Sequence, residues 1–120
     1  MKVNFEQIDL FLVARVRSAS LDVGNAREFK DDVAAAAGER HRLLILDLSA
    51  VQEIDSAGLG ALVAILKWVR RWKGSLHLCG IQSSVREVVE LAMLHRVLPL
   101  HESVEDAMRA EAGQRVACPD

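Results

Sequence analysis

The sequence has only two cysteines and no compact set of metal-ligating residues. Cys79 lies in an apolar, strand-like run and Cys118 in a polar tail, so we expect no disulfide between them in a reducing compartment. His77 and Cys79 would share one face of a strand, but a structural zinc site needs about four ligands and no second pair accompanies them. The other histidines flank charged residues and are interpreted as isolated surface or boundary positions: His41, His95 and His101. The sequence therefore predicts no metal site.

Long apolar runs and a strong charge of either sign are absent as well. No run approaches the roughly 20 residues of a membrane-spanning helix, and the N-terminus lacks a signal-peptide pattern, so we expect a cytoplasmic protein without membrane insertion. The formal net charge is −2, and the basic group at 70–73 is interpreted as the solvated end of a helix. Direct nucleic-acid binding is therefore not expected. With 120 residues, of which 51% are hydrophobic, the chain is long and apolar enough to bury one hydrophobic core.

Patterns typical of catalysis are missing around the most prominent serine, Ser56. It lacks the glycine two residues earlier that a nucleophile elbow uses for its strained turn. Gly58 and Gly60 alone are too few for a phosphate-binding or dinucleotide-binding loop. Asp47 and Asp55 could be an acid/base pair, but nothing else in a catalytic set accompanies them, and structural roles at a strand end and a helix start are simpler. We therefore expect no enzyme activity.

The most informative segment that is present runs from Leu43 to Leu66. Its first six residues are an apolar run interrupted only by Asp47, as in an inner strand that is covered on both faces. After Ile54 the spacing becomes helical, with apolar residues three and four apart at Leu59, Leu62, Val63 and Leu66. A helix therefore begins near Asp55 and Ser56, either of which could cap it. Unpaired N–H groups and the helix dipole favour an anion there, so Ser56 is well placed to carry a phosphate.

The rest of the chain alternates strands and helices. One or two strands are predicted in 8–16, followed by a helix after Asn25 that buries Ala26, Phe29, Val33 and Ala37. The helix 57–73 ends at Gly74, and a strand follows at 75–81. A capping box at Ser84 begins the next helix, which ends near His95, and an edge strand at 97–101 and a helix from Ser103 through Ala110 complete the order. This order predicts a single α/β domain at 1–112, with a mostly parallel or mixed sheet of about four to five strands and about four helices packed against it. Residues 113–120 lack periodicity and are predicted to form a flexible tail.

The segment Asp-Ser-Ala-Gly-Leu-Gly-Ala-Leu at 55–62, with Leu-Asp-Leu-Ser at 46–49, closely resembles the phosphorylation-site region of STAS domains. This is the family of bacterial anti-sigma factor antagonists. The resemblance extends from about Ile8 to Ala110, and its Asp-Ser-x-Gly-Leu core is fairly specific. One departure is Ser20, which stands before Leu-Asp where the family usually has glycine, and which bears on the conformation of that turn.

The resemblance implies partner switching in bacterial transcription control. In that scheme the unmodified protein binds an anti-sigma factor that is also a serine kinase. This binding frees the sigma factor. The kinase then phosphorylates the serine, here Ser56, and a separate serine phosphatase resets it. ATP belongs to the partner, so no cofactor is expected for this chain. Residues carried over as contact surface are Asp22, Asn25, Asp55, Gly58, Leu59 and Ala61. Two alternatives remain: a STAS subunit of a lipid-transport ABC complex, or a scaffold subunit of a stress-signalling assembly.

The helix 57–73 carries a second apolar stripe. At about 100° per residue, Ala61, Ile65, Trp68 and Trp72 lie nearly opposite the stripe that contains Leu62. Either the helix 84–95 covers this second stripe or it stays exposed, and exposed tryptophans are common anchors of protein interfaces. We predict that the stripe is at least partly solvent-accessible and serves a partner or a homodimer.

Overall fold

A five-stranded mixed sheet carries helices on both of its faces in the computed structural model, which describes residues 2–38 and 43–117 and, for 113–117, the backbone alone. Its described strands and helices are β1 (Val3–Ile8), β2 (Phe11–Val16), β3 (Ser20–Leu21), α1 (Ala26–Ala37), β4 (Leu43–Asp47), β5 (Glu53–Ile54), α2 (Ser56–Arg71), β6 (Ser75–Cys79), α3 (Ser83–Leu91), a 3-10 helix (Leu94–Arg96), β7 (Leu100–His101) and α4 (Val104–Ala117). The strand order is β1-β2-β4-β6-β7, antiparallel only between β1 and β2, and β3 pairs separately with β5. The predicted fold class is confirmed.

Alternating residues of the inner strands divide the core into two layers, because successive side chains of a strand point to opposite faces. On β4, Leu44 and Leu46 join the larger layer with α1, α2 and α3. Leu43 and Ile45 join the smaller layer beneath α4, where Val104 and Ala107 are buried. The carboxyl ends of the parallel strands lead into the starts of α2 and α3, so these helix N-termini share one edge of the sheet.

Helix α1 buries the four residues that the spacing predicted: Ala26, Phe29, Val33 and Ala37. Asn25, the residue immediately before α1, forms no side-chain hydrogen bond that caps the helix. The boundaries of α2 and α3 differ from prediction, and α3 ends at Leu91, before the predicted end near His95. Helix α3 starts at Ser83, so Ser84 is already inside the helix and cannot be its N-cap residue, and its hydroxyl donates to the carbonyl of Gln52 at 2.7 Å. Helix α2 ends at Arg71, and the left-handed residue after it is Lys73, with φ 60°, where the sequence suggested Gly74.

The two ends of the chain also correct the sequence analysis. Strand β1 begins at Val3, well before the predicted start at residue 8, and its exposed position on the edge of the sheet explains its weak apolar pattern. Helix α4 continues to Ala117, past the predicted helix end at Ala110, and the domain boundary at residue 112 stays a prediction. His41, Cys118 and the end of the predicted tail lie outside the described residues. Within the part of the chain that is described, no helix combines the length and apolarity that crossing a membrane requires.

Candidate functional site

The N-terminus of α2 presents Ser56 at the surface. Asp55 is the N-cap residue, and its Oδ1 accepts a hydrogen bond from the backbone N–H of Gly58 at 2.9 Å. Ser56 is the first helical residue and is exposed. Asp55 therefore caps the helix and leaves the hydroxyl of Ser56 accessible. A helix start of this kind offers further backbone N–H groups and a favourable dipole to an anion on Ser56.

The loop at 20–25 is held by its own polar side chains. Asp22 accepts hydrogen bonds from the Ser20 hydroxyl and from the backbone N–H of Gly24, both at 2.9 Å. Asn25 accepts from the backbone N–H of Asp22 at 3.0 Å and donates to the carbonyl of Ser20 at 2.9 Å. Ser20 does not adopt a positive φ, so this position has no need for glycine, and its hydroxyl adds a bond that glycine could not make. The departure from the family pattern is thus accommodated.

Asp55 joins this loop to α2. Its Oδ2 accepts from the backbone N–H of Val23 at 3.1 Å, while its own N–H donates to the carbonyl of Leu21 at 3.2 Å. The short β3–β5 pair, in which Leu21 is aligned with Ile54, continues the same connection. The structure therefore brings together four of the predicted contact positions, namely Asp22, Asn25, Asp55 and Ser56.

Gly58 allows this close approach of helix and loop. A Cβ at residue 58 would lie 2.3 Å from the carbonyl oxygen of Leu21 and 2.7 Å from Cγ1 of Ile54. Only glycine leaves room there, so Gly58 positions α2 against the loop and is itself buried. Gly60 faces open space. Leu59 is half-buried and packs against the larger core, which limits the surface that it offers to a partner.

The site favours negative charge at the helix start. The hydrogen bond from the Gly58 N–H lowers the pKa of Asp55 below its ordinary value, against an opposing effect of desolvation, and the Val23 N–H lowers it further. Asp55 is therefore ionised at neutral pH, next to Ser56. A phosphate on Ser56 would meet N–H donors from its own chain, but any protein covering it would meet two adjacent anionic groups.

An open groove of about 420 Å³ runs between α1 and α2, and its lining includes Ala57, the residue after Ser56. Its α2 wall consists of small residues at helical spacing: Ala57, Gly60, Ala61 and Ala64. Its α1 wall includes Arg27 and Lys30, and Val23 stands at its edge with 82% of its surface exposed. The groove therefore combines an apolar floor with positive charge.

The second apolar stripe of α2 is more buried than predicted. Ala61 and Ile65 are 5% and 0% exposed, so the expectation of solvent access is wrong for these two residues. The reason is that α1, and not the helix that follows β6, packs against α2. Trp68 and Trp72 are half-buried at the margin of the larger core. A role for them in binding a partner or a second copy stays a prediction.

Asp47 stabilises the carboxyl end of β4. Its Oδ1 accepts from the backbone N–H of Ser49 at 3.0 Å, and its Oδ2 lies 3.6 Å from Nε of Arg15. Asp55 is engaged separately with Gly58 and Val23. These contacts give each carboxylate a structural role, as the sequence interpretation favoured.

Sequence reasoning missed a buried polar cluster beneath α4. His77 and Cys79 do share the face of β6 that meets this helix. His77, only 1% exposed, joins His101 through Nδ1 and Glu111 through Nε2, each at 2.9 Å. His101 is thus not isolated, and burial, followed by the neighbouring His77, lowers its pKa below the ordinary value. The two partners of His77 lie 24 and 34 residues further along the chain, and no local pattern signals them.

This cluster is not arranged as a metal site. Both ring nitrogens of His77 are engaged with different partners, so His77 and His101 cannot direct lone pairs at one common ion. Among the residues that the structure describes, no group of three or more His, Cys, Asp or Glu could hold a metal.

Comparisons with known proteins agree on one family. The family model described as the STAS domain matches residues 2–107. The candidate anti-sigma factor antagonist BtrV of Bordetella bronchiseptica is 32% identical over 110 residues, covering 92% of this chain and 94% of that protein. The crystal structure of a candidate anti-sigma factor antagonist from Thermotoga maritima superposes with a TM-score of 0.82 at 26% identity, covering 90% and 92% of the two chains. That of an anti-sigma factor antagonist from Mycobacterium paratuberculosis gives 0.81 at 26% identity, covering 91% and 92%.

Proposed function

The chain belongs to the STAS domain family, and from this premise we propose that it is an anti-sigma factor antagonist whose binding is switched by phosphorylation of Ser56. Its partner is an anti-sigma factor that is also a serine kinase. Relatives named as anti-sigma factor antagonists, at near full-length coverage, support this assignment. The observation that carries it is the position of Ser56, exposed at the start of α2 and beside a loop that Asp55 ties to the same helix.

The unmodified surface suits a protein partner. The side chains of Asp22, Asn25 and Asp55 each accept a hydrogen bond from a backbone N–H of this loop, and exposed Val23 adds apolar area next to Ser56. Apolar area surrounded by satisfied polar groups is typical of the core and rim of an interface. The anti-sigma factor binds here and releases its sigma factor.

Phosphorylation reverses this binding. The Ser56 oxygen forms a bond to the γ-phosphorus of ATP held by the kinase, the bond to the ADP oxygen breaks, and the hydroxyl proton passes to a base of the kinase. The product carries about −1.5 to −2 charges at neutral pH. The dipole of α2 stabilises a negative charge at the helix start by about 0.3–1 kcal/mol, so the fold accommodates the phosphate. The partner surface, in contrast, loses affinity because it must desolvate a dianion beside ionised Asp55. A separate phosphatase hydrolyses the phosphoserine and restores binding.

Substitutions at Ser56 test this proposal against a matched position. Ser83 is also exposed and is the first residue of α3, so Ser83→Glu adds the same charge at another helix start. Ser56→Glu should weaken binding to the anti-sigma factor kinase at least tenfold with little change in thermal unfolding. Ser56→Ala should bind but gain no phosphate in intact-mass spectra after incubation with kinase and ATP.

Two results would contradict the proposal. Equal binding of wild type and Ser56→Glu would remove Ser56 from the switch, as would phosphate on another serine such as Ser20 or Ser49. Either result would favour a lipid-transport subunit or a scaffold subunit. Equal loss of binding in Ser56→Glu and Ser83→Glu would indicate general charge repulsion at this edge of the sheet.

A further inference from the structure

The groove between α1 and α2 is lined by two basic residues of α1, Arg27 and Lys30, and by no acidic residue, although the whole chain carries a formal charge of −2. Three further basic residues, Lys67, Arg70 and Arg71, lie in the second half of α2. Helix α2, from Ser56 to Arg71, contains no acidic residue. At about 100° per residue, Lys67 and Arg71 fall within about 60° of Ser56 around α2, so they continue the side of the helix on which Ser56 stands.

The two basic residues of the groove are available to an external group. Neither Arg27 nor Lys30 forms an ion pair with another residue that the structure describes. Of the acidic residues of α1, Glu28 and Asp32 lie 100° or more from Arg27 around the helix. Asp31 lies only about 40° from Arg27, one turn further along, but is not among the residues that line the groove. Across the groove, Gly60 is one helical turn from Ser56, so Ser56 stands at the rim. Positive charge without an internal partner, next to an apolar floor, is complementary to an acidic segment that also carries apolar residues.

We propose that the anti-sigma factor kinase docks an acidic, partly apolar segment in the groove between α1 and α2, against Arg27 and Lys30. We further propose that phosphate on Ser56 competes with that segment for the same two cations. This inference rests on the proposed function and adds the chemistry of the partner. Phosphorylation then acts in two ways, because it places charge in the interface and also neutralises the field that attracts the partner.

Charge reversal tests the docking of an acidic segment. The double variant Arg27→Glu with Lys30→Glu should slow association with the kinase that binds wild type by about tenfold or more at low salt. It should also flatten the dependence of the association rate on salt. Arg96→Glu, at an exposed residue of the 3-10 helix outside the groove lining, reverses one charge where the double variant reverses two, and it should leave both quantities unchanged. The milder pair Arg27→Gln and Lys30→Gln replaces the reversal variant if circular dichroism shows that α1 is disturbed.

Phosphorus NMR tests the competition without any partner. Phosphoserine introduced at position 56 by genetic encoding reports the second pKa of its phosphate, which is ordinarily about 6. In the wild-type background Arg27 and Lys30 should hold this pKa lower than in the Arg27→Glu, Lys30→Glu background. The Arg96→Glu background should match wild type.

The outcomes separate this inference from the proposed function. If Ser56→Glu weakens kinase binding while the groove variants associate like wild type, the acidic segment is wrong and the phosphorylation switch stands. If the phosphate pKa is the same in all backgrounds, the competition is wrong. Slower association of the groove variants together with unchanged binding of Ser56→Glu would support the docking and overturn the switch.

Discussion

Gly58 and Gly60 lie two residues apart in α2, yet replacing each by alanine should change stability in opposite directions. A Cβ at residue 58 would lie 2.3 Å from the carbonyl oxygen of Leu21, whereas real Cβ contacts essentially never fall under 3.0 Å. The helix or the loop must therefore move by at least the difference, 0.7 Å. The clashing atom is backbone, and it also accepts the 3.2 Å hydrogen bond from Asp55, so the shift cannot be absorbed by a side-chain rotation. At residue 60 an added Cβ meets nothing within 4 Å.

The expected magnitudes follow from these contacts. Overpacking at residue 58 costs about 1–3 kcal/mol, and loss of the hydrogen bond to Leu21 costs about 0.5–1.5 kcal/mol. The better helix propensity of alanine returns about 1 kcal/mol. Gly58→Ala should therefore lower the free energy of unfolding by about 2 kcal/mol, or Tm by about 8 °C for a domain of this size. Gly60→Ala keeps only the propensity gain and should raise stability by about 0.5–1 kcal/mol.

Urea unfolding of the three proteins, followed by circular dichroism and checked by calorimetry, measures both values. The m-value should not change, because the same surface is exposed on unfolding. A Gly58→Ala protein as stable as wild type would refute the close contact between α2 and Leu21. A loss of stability in Gly60→Ala equal to that in Gly58→Ala would show that glycine is needed in this helix for a reason unrelated to the contact.

Asp55→Ala should lower the urea midpoint at pH 7. Because a backbone hydrogen bond depresses the pKa of Asp55, the advantage of wild type should begin to shrink below the ordinary aspartate pKa of about 4 and should be lost as the pH falls through the lowered pKa of the folded state. Burial raises the pKa of the Cys79 thiol to about 12, so a Cys118→Ser protein should react with iodoacetamide at pH 8 only when unfolded, and prompt labelling of the native protein would contradict the buried position. His101 has a lowered pKa, chiefly from burial and then from the charge of His77, with Asp106 opposing. The unfolded chain therefore binds that proton more readily, stability should fall as the pH drops below about 6.5, and His101→Gln should flatten this fall between pH 7 and 5 in urea titrations.

Local periodicity was sufficient to predict the elements that pack on a single face. The buried face of α1 and the start of α2 at Asp55 and Ser56 both agree with the structure, because 3.6-residue spacing and N-cap chemistry are local properties. Strand β1 was missed at Val3 because an edge strand with one exposed face has little apolar content. The Ser84 capping box was wrong because α3 begins one residue earlier, at Ser83, which places Ser84 inside the helix.

Features that depend on topology could not be read from the sequence. The residues Ala61 and Ile65 have an apolar spacing that is the same whichever helix covers them, and only the fold decides that α1 does so. The pairing of His77 with Glu111 joins a strand to a helix 34 residues away. For the candidate site, motif and spacing located Ser56, while the bonds from Asp55 to the neighbouring loop required the structure.

Those bonds also affect the thermodynamics of association. Asp55 holds the loop at Val23 and the start of α2 as one unit before any partner arrives, and Asp22 and Asn25 fix the loop internally. Ordering a loop on binding costs about 1–2 kcal/mol for each residue whose backbone becomes fixed, and here the loop is already ordered. Binding to this surface should therefore carry a small entropic penalty from this chain, and the conformational change that accompanies association should fall mainly on the partner.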